Sequence, residues 1–290
     1  MVEDAEALDV RCRFCSWAGA AKAGWRYNRH AARQRYGCRA CGRRFVPDDG
    51  FLRRVHRPGT ITKALDLYFS GLGSWTVVQY LRRHHRVRVA RKTVVAWARH
   101  FGRRVYEFLR CVTVHPRGRN LHCDEKRPKV GGREAYFWLM ALGTPHFIVA
   151  ADLTRDKAWD RPRALFREVR GRLLGRLPLV VTDGLGAYNS WTGMTPSRTR
   201  HVVVESFEAW PNNNRIERLN GSVGDWLRRR GLHRMDGARD LLLGWTVHHN
   251  YVHRHSRLDV TAAEANGLRL PLEGDAWKIL IGMPMKSYPA

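Results

Sequence analysis

The chain has 290 residues, 44% of them hydrophobic, enough for one sizeable core plus one or two small modules. It carries 52 Lys and Arg against 26 Asp and Glu, a formal net charge of +26. No stretch approaches the roughly 20 consecutive apolar residues of a membrane-spanning helix, so the expected partner is a polyanion rather than a bilayer. The charge is uneven: residues 1–120 hold 26 basic and 8 acidic side chains (+18), residues 121–290 hold 26 and 18 (+8). A basic first part on a less basic second part reads as a nucleic-acid-binding arm joined to a catalytic body. The N-terminus, with Glu3, Asp4 and Glu6, is too acidic and polar for a secretory signal. The six cysteines are therefore expected as thiols rather than disulfides, and the chain in the cytoplasm, at the nucleoid.

In chain order, the first predicted element is a metal-held module. Cys12 and Cys15 form one two-residue knuckle, Cys38 and Cys41 another. Four thiolates at this spacing close a tetrahedral shell with no open position, which predicts one structural Zn²⁺. The interval is basic and aromatic (Trp25, Arg26, Tyr27, Arg33, Arg35, Tyr36) and too poor in apolar residues to build a core, so the metal must supply the folding energy. Cys111 and Cys123 fit no ligand spacing and read as buried small apolar residues.

Past Pro58-Gly59, the residues Ile61, Ala64, Leu65 and Tyr68 recur at helical spacing up to the break Gly71-Leu72-Gly73. Ser74 is the expected cap of a second helix presenting Val77, Val78, Tyr80 and Leu81. A third, starting near Arg91-Lys92-Thr93, buries Val94, Trp97 and Phe101. Three short helices with cations opening the last one predict a helix-turn-helix, with Arg91, Lys92 and Arg99 as DNA contacts.

From residue 119 the pattern changes to strands: 119–125, 135–142 and 146–152, then a helix over 159–174, strands at 178–182 and 201–204, and a helix opening on the amides Asn212, Asn213 and Asn214. That succession is the order of an RNase H-like α/β fold. Asp124 and Asp183 close two of the strands and Glu217 lies on the helix. Two strand-end carboxylates facing one on a helix can hold two divalent ions about 3.5–4 Å apart, the arrangement for in-line phosphoryl transfer. Glu125 and Asp152 are alternative carboxylates; strand alternation points Glu125 to the face opposite Asp124 and ranks it second. His248, His249, His253 and His255 read as structural or phosphate-facing rather than metal-binding.

The residues resemble the DDE transposases of prokaryotic insertion sequences, specifically the zinc-ribbon-bearing kind common in archaea. The resemblance runs over nearly the whole chain: Gln34, Tyr36, Cys38, Cys41 and Phe45 of the ribbon; Leu67-Tyr68-Phe69 and Gly71-Leu72 of the helix-turn-helix; Asp124-Glu125-Lys126 and Thr182-Asp183-Gly184 of the core. The most specific stretch is Asn212-Asn213-Asn214, Glu217-Arg218-Leu219-Asn220-Gly221. Asn250-Tyr251, His255, Leu258, Thr261 and Ala263-Glu264-Ala265 resemble the C-terminal signature. The resemblance implies a zinc ribbon over 1–57, a helix-turn-helix domain over 58–115, an RNase H-like catalytic core over 116–270 and a tail over 271–290. It implies a metal triad of Asp124, Asp183 and Glu217 holding two Mg²⁺ (or Mn²⁺). It further implies cleavage at the element's terminal inverted repeats, joining of the 3′-OH to target DNA, and a homodimer or larger assembly on double-stranded DNA.

Two positions depart from that pattern. Such enzymes often carry Lys or Arg seven residues after the glutamate, where this chain has Gly224; Arg228, on nearly the same helical face, is the expected substitute. Ala262 replaces a usual proline. The alternatives to a transposase are a catalytically inactive, transposase-derived DNA-binding regulator and an RNase H-like nuclease acting on RNA or hybrids. The helix-turn-helix favours duplex DNA over the last.

Overall fold

The computed structural model describes residues 10–27, 32–52, 54–114, 120–143, 146–158, 160–175, 177, 179–183, 199–204, 214–268, 270–272 and 274–286. Residue 119, Trp159, Pro178, Gly184, Asn212 and Asn213, which figured in the expected element ends, lie outside them. The chain divides into two compact units, residues 1–62 with 277–290, and residues 63–276.

In the first unit, β1 (Ala21–Tyr27), β2 (Ala32–Gly37) and β3 (Arg44–Phe45) form an antiparallel sheet in that order. Most of β1 is solvent-exposed, and among the described residues the cluster packed on this sheet is Cys12, Cys38 and Phe45, with Val10, Ala20 and Tyr36 against it. A core this small does not offset the entropy of ordering the chain, as the composition of the interval suggested. In the same unit Asp48 and Asp49 accept the backbone N–H of Gly50 and Phe51 at 2.9 and 3.0 Å. Gly50 (φ +87°) lies so close to Ile281 that a Cβ there would stand 2.6 Å from its backbone oxygen. Ile281 belongs to a helix over Ala276–Lys286, a regular element where the sequence reading had only a tail.

The helices α1 (Pro58–Phe69), α2 (Ser74–His85) and α3 (Arg91–Leu109) follow, α2 and α3 wholly within the second unit. Ser74 is not the cap of α2: Gly73 holds the N-cap position, extended and without a side-chain bond, and of the expected apolar residues Val77, Val78 and Leu81 are buried while Tyr80 is exposed. The third helix is 19 residues long and continues its buried stripe through Val105, Tyr106 and Leu109.

The sheet of this unit has β4 (Asn120–Lys126), β7 (Tyr136–Leu142), β8 (Phe147–Thr154), β9 (Leu179–Thr182) and β10 (Arg200–Val203), with a small hairpin of β5 (Lys129–Val130) and β6 (Arg133–Glu134) apart from it. The order across it is β10-β9-β4-β7-β8. The pairs β4–β7 and β7–β8 are antiparallel, β4–β9 and β9–β10 parallel. Numbered by first appearance and read from the β8 edge this is 3-2-1-4-5, with α4 (Asp160–Arg172) crossing over between β8 and β9. This is the RNase H-like α/β arrangement that the order of elements predicted, and the fold is assigned as such. After it come α5 (Asn214–Leu227), α6 (Met235–Tyr251), α7 (Ala262–Ala265) and the terminal helix, α8.

An edge strand presents backbone groups that must be satisfied or hidden. β8 is such an edge, yet it is almost wholly buried. The hydroxyl of Tyr106 on α3 accepts the N–H of Ala151 and donates to its carbonyl, both at 2.9 Å. The Asn250 amide on α6 does the same for Ile148 at 2.9 and 2.8 Å, and the Arg172 guanidinium donates to the Val149 carbonyl. Side chains stand where a sixth strand would. The helices α3 and α6 cross at Gly102 and Gly244, where a Cβ on either would come within 3.0 Å of the other's Cα.

Candidate active site

β4 lies in the middle of the sheet, and its pairing with β9 covers only Asn120–Leu179, Leu121–Val180 and His122–Val181. Extending that register by two residues sets Asp124 beside Asp183, where β9 has already ended. Parallel strands in register point equivalent residues to one face, so the two carboxylates meet by topology.

The helix α5 closes the site from above. Ile216, Leu219, Val223 and Trp226 form its buried stripe, and the amide of Asn220 donates to Asp124 Oδ2 at 2.7 Å. The other oxygen of Asp124 accepts the Glu125 N–H at 2.8 Å, so both are fixed. Glu217, one turn before Asn220, is exposed in the first turn of α5.

The oxygens of Asp124, Glu125 and Asp183 lie within 4.8 Å of one another. Around a six-coordinate ion with Mg–O near 2.1 Å, neighbouring oxygens are roughly 3 Å apart and opposite ones about 4.2 Å. The cluster is thus within a small adjustment of a one-ion shell, and its all-oxygen donor set suits Mg²⁺ or Mn²⁺. Glu217 is not within that 4.8 Å group. Its charge still acts on Asp124. Burial, and then the charges of Glu125, Asp183 and Glu217, push the Asp124 carboxyl up to about 7, against the opposing hydrogen bond from the Glu125 N–H. Burial and Asp183 likewise raise Glu125, with Lys157 and Arg127 acting the other way. Cys123 is buried beneath them, its thiol pushed well up by burial and by both aspartates.

Glu125 is the residue that alternation ranked second. One of its oxygens meets Arg127 at 3.4 Å and Lys157 at 4.0 Å, while the other is buried with no partner among the described residues. Asp152, the other alternative, is two strands away in the same row (Glu125–Trp138–Asp152) and is clamped by Arg161 and Arg239, outside the cluster. Asn220 stood in the most specific stretch of the sequence without an assigned role. Its three-residue spacing from Glu217 was the available signal, since i and i+3 share a helix face.

The four cysteines also converge: Cys12 Sγ lies 3.7 Å from Cys41 Sγ, and Cys15 Sγ 3.6 Å from Cys38 Sγ. A tetrahedron with Zn–S of about 2.3 Å has edges of roughly 3.8 Å, far from the sulfur separation of a disulfide. The cluster can hold zinc. Cys123 is buried as expected, but Cys111 is exposed: it follows the last turn of α3 and its thiol donates to the Glu107 carbonyl at 3.7 Å.

Arg91 and Lys92 are exposed on the first turn of α3. Arg99 reaches α6 instead, donating to Asp240 at 3.2 and 3.3 Å, and Arg103 lies 3.8 Å from the same carboxylate. Arg228 is exposed and pairs with Asp225 one turn back. His248 and His249 are held neutral by burial, with pKa values lowered to about 3 and about 4, and His249 bonds the His146 carbonyl: structural roles. Ala262 opens α7 behind a capping box of Thr261 and Glu264, a first-turn position that proline also suits.

No protein-family model matches this chain, and no curated protein does. Among solved structures it is similar to the simian T-cell lymphotropic virus intasome in complex with PP2A regulatory subunit B56 gamma, at 13% identity over 73% of this chain and 76% of that one, TM-score 0.41. It is also similar to the HTLV-2 integrase catalytic core domain in complex with magnesium. The trimeric form matches at 11% identity over 54% and 98% of the two chains, TM-score 0.39; the dimeric form at 12%, 53% and 98%, TM-score 0.38. TM-scores this low carry no argument, and the fold stands on strand order and direction. Among the described residues no helix is long and apolar enough to cross a membrane.

Proposed function

We propose that this chain is a DNA transposase that nicks the ends of an insertion sequence and joins the freed 3′-OH to target DNA. The observation that carries the reading is the meeting of Asp124 and Asp183 at adjacent strand ends, under a helix that bonds Asp124 through Asn220 and bears Glu217 one turn earlier. Divalent ions held there would activate water or a 3′-hydroxyl and stabilise the leaving oxygen. Asp124, Asp183 and Glu217 are the ligands of this proposal, with two Mg²⁺ or Mn²⁺ per site, and Cys12, Cys15, Cys38 and Cys41 hold one structural Zn²⁺. Asn220 keeps the Asp124 carboxylate aimed into the site, and the burial that raises its pKa keeps bulk water away. Arg91 and Lys92 meet the duplex. Joining two ends requires more than one active site, hence a homodimer or larger assembly.

The second reading, a DNA-binding regulator without chemistry, is favoured by Gly224, where a basic side chain is missing. The test is Mg²⁺- or Mn²⁺-dependent nicking and strand transfer on duplexes taken from the DNA flanking the gene. Asp124→Ala, Asp183→Ala and Glu217→Ala should each abolish both reactions while leaving duplex binding nearly intact. Binding with no cleavage by the parent would establish the regulator, and a Glu217→Ala protein joining ends at the parental rate would remove Glu217 from the triad.

A further inference from the structure

The bare face of α5 at Gly224 is occupied. A Cβ on Gly224 would stand 3.3 Å from both Cε and Nζ of Lys126. The helix and β4 run in step there. Asn220 meets Asp124, and one turn later Gly224 meets Lys126. Four helical residues advance about 6 Å and two strand residues about 6.6 Å. Lys126 therefore stands on the Asp124 face of β4, its ammonium over naked helix backbone.

Its neighbours are committed elsewhere: Arg127 and Lys157 to Glu125, Arg228 to Asp225. Among the described residues the Lys126 ammonium forms neither ion pair nor hydrogen bond, although four carboxylates surround this end of the sheet. A long side chain at position 224 would displace it. Glycine in a helix interior weakens the helix, and here it leaves a berth that only its lack of a side chain provides.

We propose that Lys126, berthed over Gly224, contacts a backbone phosphate of the DNA strand entering the carboxylate site, and so supplies in this chain a cation at the place where α5 has Gly224. This rests on the reading that the Asp124 face meets DNA. A phosphodiester brought to a cluster of carboxylates adds negative charge, and a lysine at its rim offsets it as a point charge, without demanding a fixed geometry.

The experiment uses the full-length protein and a short duplex of arbitrary sequence in Mg²⁺, with binding followed by fluorescence anisotropy across a salt series. Each phosphate contact contributes about 0.9 to the slope of log affinity against log salt. Lys126→Met should flatten the slope by about that amount, so a fourfold rise in salt weakens the parent about 3.5-fold more than the variant. Lys126→Arg should keep the parental slope. Gly224→Leu retains the lysine but removes its berth, and should behave as Lys126→Met. Moving the cation across, with Lys126→Gly and Gly224→Lys together, should restore the slope. A parental slope in Lys126→Met overturns the contact, and a parental slope in Gly224→Leu overturns the berth. Matching thermal transitions show that every variant is folded. Because the readout is binding, it decides the role of Lys126 even if the parent proves unable to cut DNA.

Discussion

Replacing Asp124 by Asn should stabilise the protein in the absence of divalent ions, and only above a certain pH. The carboxyl titrates near 3.8 in an unfolded chain and at about 7 in the folded one, raised first by burial and then by Glu125, Asp183 and Glu217. Between those values the folded state keeps a proton that the unfolded state has lost, so stability falls as pH rises through the window, and the full penalty stands above pH 7. Roughly three pK units amount to about 4 kcal/mol, an upper figure because the carboxylates titrate together. Asp124→Asn removes the ionisation and keeps the shape. The new amide can still accept the Glu125 N–H, and the buried Oδ1 of Asn220, without a partner among the described residues, can turn to receive its N–H₂. Urea unfolding of parent and variant is measured from pH 4 to pH 8, first without divalent ions and then with Mg²⁺. The variant should match the parent near pH 4 and exceed it by up to about 4 kcal/mol at pH 8. Mg²⁺ should stabilise the parent by about 2.7 kcal/mol at a hundred times its Kd and leave the variant unmoved. A variant less stable than the parent at pH 8, or a difference that ignores pH, would refute the electrostatic account.

Zinc should be found at one ion per chain by elemental analysis of protein purified without chelator. Stripping it should unfold the β1–β3 sheet while the helical signal of α2–α6 persists, because the cluster of Cys12, Cys38 and Phe45 is too small to stand alone. Gly244→Ala would bring a Cβ within 2.5 Å of Phe69 and 3.0 Å of Gly102, and should lower stability by about 1–3 kcal/mol. Gly221→Ala faces open space and should be neutral, or stabilising by up to about 1 kcal/mol; equal effects at the two sites would refute the crossing argument. Tyr106→Phe leaves both backbone groups of Ala151 unsatisfied at a buried edge, and should cost about 1–3 kcal/mol in chemical denaturation.

Most strands of the core were legible as short apolar runs, and the structure places all five within two residues of the expected bounds. What alternation could not reveal is how far β4 runs past its neighbour. β9 pairs only as far as His122, so beyond that point no strand among the described residues lies on the β9 side to keep the two faces apart. Glu125, whose Cβ direction predicts the opposite face, reaches the aspartates with its longer stem. The length of α3 was hidden for a different reason. Gly102 reads as a helix-weakening residue, and its use, letting α6 cross at Gly244, depends on a residue 142 positions later. The roles of Lys126 and Gly224 are of the same kind: each is plain alone, and only the pairing of a strand with a helix makes one the reason for the other.

That long α3 bears on how reading and cutting would be coupled. Its first turn carries Arg91 and Lys92 into solvent, while its last two turns bond the edge of the five-stranded sheet through Tyr106 and through the Leu109 carbonyl, which accepts Arg172. Fifteen residues of helix separate Arg91 from Tyr106, about 22 Å at 1.5 Å per residue. Two further strand spacings, about 10 Å, lead from β8 to the β4 carrying Asp124. No loop interrupts that path: helix, edge bonds and ladder hydrogen bonds form one frame. On the proposed reading, the base pairs met by α3 and the phosphate met by Asp124 stand at a separation set by the fold rather than by a linker. Moving the recognised sequence by one base pair, about 3.4 Å along the duplex, would then move the cut by the same step. Tolerance of variable spacing would require α3 to leave the β8 edge, exposing the backbone groups of Ala151 that Tyr106 now satisfies.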